Sequence, residues 1–335
     1  MPDYRTDPRM DPEMAAFQAM MDERAKDFPP IRLERPFDAA RASNDALNLT
    51  LGGGPEMAES RDIWLLVRGR RIACRLHRPA GAEGPLPVLV YLHGGGWVWN
   101  SIDTHDRTMR EYAAASGCAV LGPDYALSPE AVFPQALEEC AGVARQLAAH
   151  GAEWGLDGTR MVLGGDSAGA NLALGAALLL RQQAPELALR GLLLGYGVYD
   201  SRLDTPSYEE FAEGYGLTRA RMRFYWDAYA PQQADRHGPF AAPLRADLRG
   251  LPPVHMTLTE LDVLASENLA MADALRAAGV AVEAAAFPGT VHGFLRAAGH
   301  VGAADRAFAQ AGAGCAAFWA ERGAARPQAR RTPQG

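Results

Sequence analysis

Gly165-Asp166-Ser167-Ala168-Gly169, in the middle of the chain, sets a hydroxyl nucleophile between glycines two positions to either side. It follows an apolar strand-like run at 161–163 and precedes a helical pattern that begins near Ala168. A serine on a sharp strand-to-helix turn lifts its hydroxyl clear of a sheet, and the flanking glycines let neighbouring backbone approach without Cβ clashes. The helix that follows directs its positive end at the same point, which favours a developing oxyanion. The chemistry within reach of such a serine is nucleophilic attack on an acyl carbon. A bare Gly-x-Ser-x-Gly arises by chance in a chain with 35 glycines; the strand–turn–helix context sets this one apart.

His93-Gly94-Gly95-Gly96 follows directly on the apolar run 88–92. Three glycines at a strand end make a flexible turn, or they free backbone N–H groups to face negative charge. On the second reading Gly94, Gly95 and Ala168 donate to an oxyanion, each donor stabilising the transition state by about 3 kcal/mol. His93 then serves as a structural residue of the loop. The general base and its orienting acid are sought at later strand ends. Of the histidines after Ser167, His255 lies inside a strand-like run, His237 in a long inserted segment and His300 in the last helical region. His292 sits in the Gly-rich stretch PGTVHGF past the last strand, where a loop can carry an imidazole over the serine, and it is the expected base. Asp262, at the end of the run that begins at Val254, is the expected acid, with Glu260 as its competitor and Asp200 and Asp204 as surface or cap-entry residues.

The elements that must position these groups alternate regularly from about residue 60. Strand-like runs fall at 63–67, 72–77, 88–92, 119–123, 161–163, 192–196, 254–258 and 282–287, and helical patterns fall near 105–116, 134–150, 168–182, 266–278 and 303–321. Strands alternating with helices imply parallel crossovers, so the pattern predicts an α/β architecture: a mostly parallel eight-stranded sheet covered by helices on both faces. The first two runs have no helix between them, which suits an antiparallel edge. Residues 1–55 read as an appendage, with Asp11-Pro12 opening a helix whose Met14, Phe17 and Met21 share a face. More than fifty residues separate the sixth and seventh strands, and a connection that long carries structure of its own. The expected organisation is a cap segment at 1–55, a catalytic core at 56–199 and 246–322, a cap insertion at 200–245 packed on the N-terminal helix, and a disordered tail at 323–335.

Composition narrows the class. The chain has 335 residues and a formal net charge of −7, with acids and bases interspersed, which argues against nucleic acid or an anionic membrane as partner. No run of about 18–20 apolar residues suggests a membrane span, and the polar, mixed-charge start MPDYRTDPRMDPEM points to the cytoplasm. Cys74, Cys118, Cys140 and Cys315 are widely spaced, which reads as reduced, buried thiols rather than a metal site or disulfide frame.

HGGGW from residue 93, YALSPEAVFP from 125, GDSAGANLA from 165 and PGTVHGF from 288 together resemble the hormone-sensitive-lipase family of α/β-hydrolases, over residues 93–294. Within it, DYALSPE, FPQALEEC and GYGVY most resemble bacterial acetyl esterases. The resemblance implies the α/β-hydrolase fold with a helical cap, a Ser167–His292–Asp262 triad, and Gly94, Gly95 and Ala168 as oxyanion donors. It also implies a short-acyl-chain ester as the small-molecule substrate, no cofactor or metal, and a cytoplasmic enzyme; a homodimer is compatible with it. Where the family commonly has a proline and then an acid after the aspartate, this chain has Val263 and Ser266, with Glu267 expected to take the supporting acid's part. Ala126 and Ala170 replace a usual arginine and glycine. Trp97, Trp99, Tyr196, Phe211 and Tyr215 are the candidate aromatic walls of the acyl pocket, or else packing between cap and core. The activity expected is a serine carboxylesterase working through an acyl-enzyme. The alternatives are an amidase or aryl formamidase with the same triad, and a non-catalytic ligand-binding protein on the same scaffold.

Overall fold

The computed structural model describes residues 4–319; the tail expected at 323–335 lies outside the described residues. Two helices open the fold, α1 (Pro12–Arg24) and α2 (Asp38–Leu49). The alternating body follows: β1 (Met57–Val67), β2 (Arg70–Pro79), β3 (Leu86–Leu92), α3 (Asp106–Ser116), β4 (Ala119–Pro123), α4 (Gln135–His150), β5 (Leu156–Asp166), α5 (Ala168–Gln183) and β6 (Gly191–Gly195). Three short cap helices come next, α6 (Pro206–Glu210), α7 (Arg219–Tyr229) and α8 (Gln233–Arg236), and the body closes with β7 (Val254–Leu261), α9 (Ala265–Ala277), β8 (Val282–Val291) and α10 (Gly302–Trp319).

The eight strands form one sheet in the order β1-β2-β4-β3-β5-β6-β7-β8. β2 pairs antiparallel with both β1 and β4, and every other pairing is parallel. The central strands are near-continuous apolar runs because helices cover both faces: every residue of β4 and β6 is buried. Strand order reverses between β3 and β5, the kind of crevice where open α/β sheets bind ligands. Register decides what reaches that crevice. Leu92 pairs with Gly165, Asp166 with Gly195, and Leu261 with Val291. The residues just beyond those pairs, His93, Ser167, Asp262 and His292, therefore leave the sheet along one edge.

Above that edge the N-terminal segment meets the cap. The Asp11 carboxylate caps α1, accepting from the backbone N–H of Glu13 at 2.8 Å and of Met14 at 3.1 Å, with Pro12 in the first turn and Met14, Phe17 and Met21 buried. The start of α1 is tied to the end of β8, the strand that delivers His292, since the Asp11 N–H donates to Gly289 O at 3.1 Å; residues 288–291, expected as a Gly-rich loop past the last strand, belong to that strand. Arg9 pairs with Glu210 at 2.6 Å, and Phe37 packs edge-on against Phe224 of α7. The sequence does not announce α2, because Phe37 stands at its N-cap with no capping side chain; the helix buries Ala40 and Ser43 and packs Leu47 against the core. All four cysteines are buried and unbridged. Among the described residues no helix is long and apolar enough to cross a membrane.

Candidate active site

Ser167 stands between β5 and α5 with φ +54° and ψ −119°, a strained conformation for a residue with a side chain. Packing and hydrogen bonds hold it there. Its N–H donates to Gly195 O at 2.8 Å, and α5 begins so close to β3 that a Cβ on Gly169 would overlap the Leu92 carbonyl. That close approach requires the glycine and fixes how α5 lies beneath the serine.

The Ser167 hydroxyl lies 2.8 Å from His292 Nε2, and His292 Nδ1 lies 2.7 Å from Asp262 Oδ2. A carboxylate can only accept, so Nδ1 carries the proton and Nε2 is left free to accept from the hydroxyl. Asp262 is 1 % exposed and is positioned on both oxygens: Thr259 Oγ1 donates to Oδ2 at 2.7 Å and the Leu264 N–H to Oδ1 at 3.0 Å. Tyr196 packs edge-on against the imidazole with centroids 5.0 Å apart. Glu260, the competing acid, is exposed and accepts the Gly289 N–H at 2.8 Å, so it braces the end of β8 from outside. His237 bonds Ser201 in the cap, His300 packs on Phe17, and His255 is buried beside Glu283.

The glycine loop differs from expectation at one position. The Gly94 N–H is already committed to Asp166 Oδ1 at 2.9 Å, so it is not available to an oxyanion. The free N–H groups belong to Gly95 and Gly96, which line the cavity around Ser167, and to Ala168; none of the three has a hydrogen-bond acceptor among the described residues. Gly95 has φ +125°, and a Cβ there would meet the Trp99 carbonyl. The shift by one residue arises because Asp166, beside Ser167, uses the first glycine as an anchor: the same Oδ1 also accepts the Tyr91 hydroxyl at 2.7 Å. Burial raises the Asp166 carboxyl, but the charge and contact of His105 with the Tyr91 and Gly94 donors outweigh it and hold the pKa at about 2. His93 is structural, as expected: it stacks on Tyr125 with centroids 4.3 Å apart, and burial first, then His105, push its pKa down to about 3. Tyr125 in turn donates to His93 O at 2.7 Å.

The cavity holds about 200 Å³. Of the five candidate aromatics, Trp99 and Tyr196 line it; Trp97, Phe211 and Tyr215 do not. Trp97 is fully buried and stacked on Tyr229 at 4.1 Å, joining the loop to α7. Phe211 lies under the Arg9 guanidinium, and Tyr215 donates to Asp7 Oδ2 at 2.7 Å, so both fasten the N-terminal segment to the cap. Sequence reasoning missed Tyr225 and Arg221 on α7, Asn44 and Asn48 on α2, and Arg296, all of which line the cavity. These come from three elements far apart in the chain, and no local spacing relates them.

Residues 89–296, more than half of the chain, match the family model of the α/β-hydrolase fold. The chain belongs to that family. This α/β-hydrolase is 38% identical over 227 residues to an acetyl esterase of Salmonella schwarzengrund (strain CVM19633), across 67% of this chain and 69% of the relative. A thermostable esterase from Pseudomonas putida ECU1011 superposes with a TM-score of 0.87 at 33% identity, over 93% of this chain and 98% of that one. An esterase from the archaeon Pyrobaculum calidifontis superposes with a TM-score of 0.84 at 29% identity, covering 92% and 98%. The α/β-hydrolase is thus a hydrolase of the esterase superfamily, related to acetyl esterases and to the hormone-sensitive-lipase-like group.

Proposed function

We propose that the protein is a serine carboxylesterase that cleaves esters of short acyl chains through an acyl-enzyme. The observation that carries this reading is the unbroken hydrogen-bond chain Ser167–His292–Asp262 beside three unpartnered backbone N–H groups. Ser167 Oγ attacks the acyl carbon while His292 Nε2 takes its proton. The resulting oxyanion accepts from Gly95, Gly96 and Ala168, each worth about 3 kcal/mol by analogy with measured donors. Asp262 keeps the imidazole in its reactive tautomer and stabilises the imidazolium. His292 then gives the proton to the departing alcohol, the C–O bond breaks, and the acyl group stays on Ser167. Water, deprotonated by the same histidine, attacks that ester and releases the carboxylic acid.

The short-chain preference is supported by the size of the cavity, about 200 Å³, whose apolar wall includes Trp99, Tyr196, Leu217 and Tyr225; sites for larger ligands run to roughly 300–1,000 Å³. In this reading residues 1–55 and 200–245 make the cap, and 56–199 with 246–322 the catalytic core. Turnover of p-nitrophenyl acetate, butyrate and octanoate, beside the matching anilides, tests the proposal. The expected order is acetate and butyrate well above octanoate, with anilides slowest. Good anilide turnover with negligible ester turnover would overturn it, as would a serine-directed phosphonate that fails to label Ser167.

A further inference from the structure

Two arginines from opposite sides of the fold reach the cavity over Ser167. Arg296 lies four residues past His292 in the short helical turn Phe294–Ala297, and Arg221 lies in the first turn of α7, whose start is capped by Thr218. Most arginines of this acidic chain that sit near a carboxylate pair with one, as Arg41 does with Glu130 and Arg75 with Asp62. These two do not. Among the described residues the one side-chain hydrogen bond of Arg296 goes to the neutral Asn48 Oδ1 at 3.2 Å, and Arg221 makes no side-chain hydrogen bond or ion pair. The single carboxylate lining the cavity, Asp166, is held by Tyr91, Gly94 and His105 and faces the oxyanion loop.

The lining therefore holds two guanidinium groups that no carboxylate among the described residues pairs with. The two guanidinium groups line one cavity, carry like charge and are both exposed to solvent at its rim. Both groups stay protonated at working pH. An anion between them would relieve that repulsion and offer the fork-to-carboxylate geometry that arginine matches. The rest of the wall is suited to a polar guest, since Asn44, Asn48 and Thr104 also line the cavity.

We propose that Arg221 and Arg296 select esters that carry a carboxylate near the scissile bond. The inference rests on Ser167 being the nucleophile of an esterase, and its test separates the two. Matched substrates differ only in charge: 2-acetoxypropionate against 2-acetoxypropanamide, with the charge on the alcohol side, and monomethyl succinate against methyl succinamate, with the charge on the acyl side. Release of acetate or methanol gives kcat/KM for each, and the anion-to-amide ratio is read within one enzyme preparation, so any loss of folded protein cancels. The ratio is expected to reach about tenfold for at least one pair at low salt, to fall as salt screens the charges, and to collapse toward one in R221Q/R296Q. A ratio below about threefold for both pairs, or one that survives the double substitution, overturns the proposal. Hydrolysis of p-nitrophenyl acetate is followed in parallel: if it proceeds without any charge preference only the selectivity is refuted, and if it is absent the esterase reading falls as well.

Discussion

Asp166 ties the turn of Ser167 to the glycine loop 94–96, and on the proposed mechanism replacing it should damage both stability and turnover by amounts that can be worked out. Its Oδ1 accepts Gly94 N–H at 2.9 Å and Tyr91 O–H at 2.7 Å, and the residue is 7 % exposed. The carboxyl sits at about 2 against an ordinary 3.8, a difference equivalent to about 2 kcal/mol of folding stability. Because the folded pKa is depressed, that stability is present above the unfolded value near 3.8 and is lost as pH falls toward 2. Asp166→Asn keeps an acceptor but no charge. It should therefore be less stable than the parent by about 2 kcal/mol at pH 6, with about 1 kcal/mol of that gap gone by pH 3. Asp166→Ala also strands the Gly94 N–H and the Tyr91 hydroxyl, each costing about 1–3 kcal/mol. The freed loop should then misplace the donors of Gly95 and Gly96, lowering kcat/KM by about a hundredfold, the cost of one oxyanion donor. Denaturant midpoints at pH 6 and pH 3, with kcat/KM on p-nitrophenyl acetate, measure both effects. If Asp166→Ala keeps kcat/KM within about threefold of the parent, or the Asn gap is the same at both pH values, the tie does not do what is argued here.

Three further outcomes follow from the same geometry. Asp262→Asn should lower kcat by about 10⁴-fold with little change in KM, by analogy with other triads, because the amide can donate to Nδ1 and stabilise the wrong tautomer; a loss under about tenfold in steady-state kinetics would exclude Asp262 as the orienting acid. Gly96→Ala should cut turnover about a hundredfold, since its Cβ would collide with the Tyr225 ring, and adding Tyr225→Ala should restore part of it; no recovery in the double variant would place the fault elsewhere. Glu267 is 2 % exposed, and burial pushes its carboxyl well above the usual range, although Oε1 accepts the Tyr199 N–H at 2.8 Å. A raised carboxyl keeps its proton in the native state while the unfolded chain loses it, so stability drops as pH rises above about 4.5. Glu267→Gln keeps the acceptor and should gain on the parent in denaturant midpoint from pH 4.5 to 8; a gap that does not widen would mean the carboxylate is ionised in the fold.

How far the sequence reached can be followed residue by residue. The eight strands and the major helices of the alternating body were legible because their signal is local, in apolar runs such as 88–92 and 254–258; the strand ends were not, since β7 and β8 run on through Thr259-Glu260 and Pro288-Gly289. The same local signal set apart Ser167, His292 and Asp262, each lying shortly past such a run. α2 was missed because Phe37 at its N-cap gives no capping signal to mark where the helix starts.

The sequence by itself determined the sheet, the turn under Ser167 and the glycine loop, since each follows from side-chain pattern or from backbone that only glycine allows over a few adjacent residues. Only the tertiary structure decided which glycine N–H groups are free, because that depends on Asp166 reaching across from β5 to claim Gly94, 72 positions away. It also decided that Trp97 is packing while Tyr225 is wall, and it brought Arg221 and Arg296 into one cavity. Hydrogen bonding and cavity shape are pairings between elements distant in the chain, and no window along the chain contains both partners.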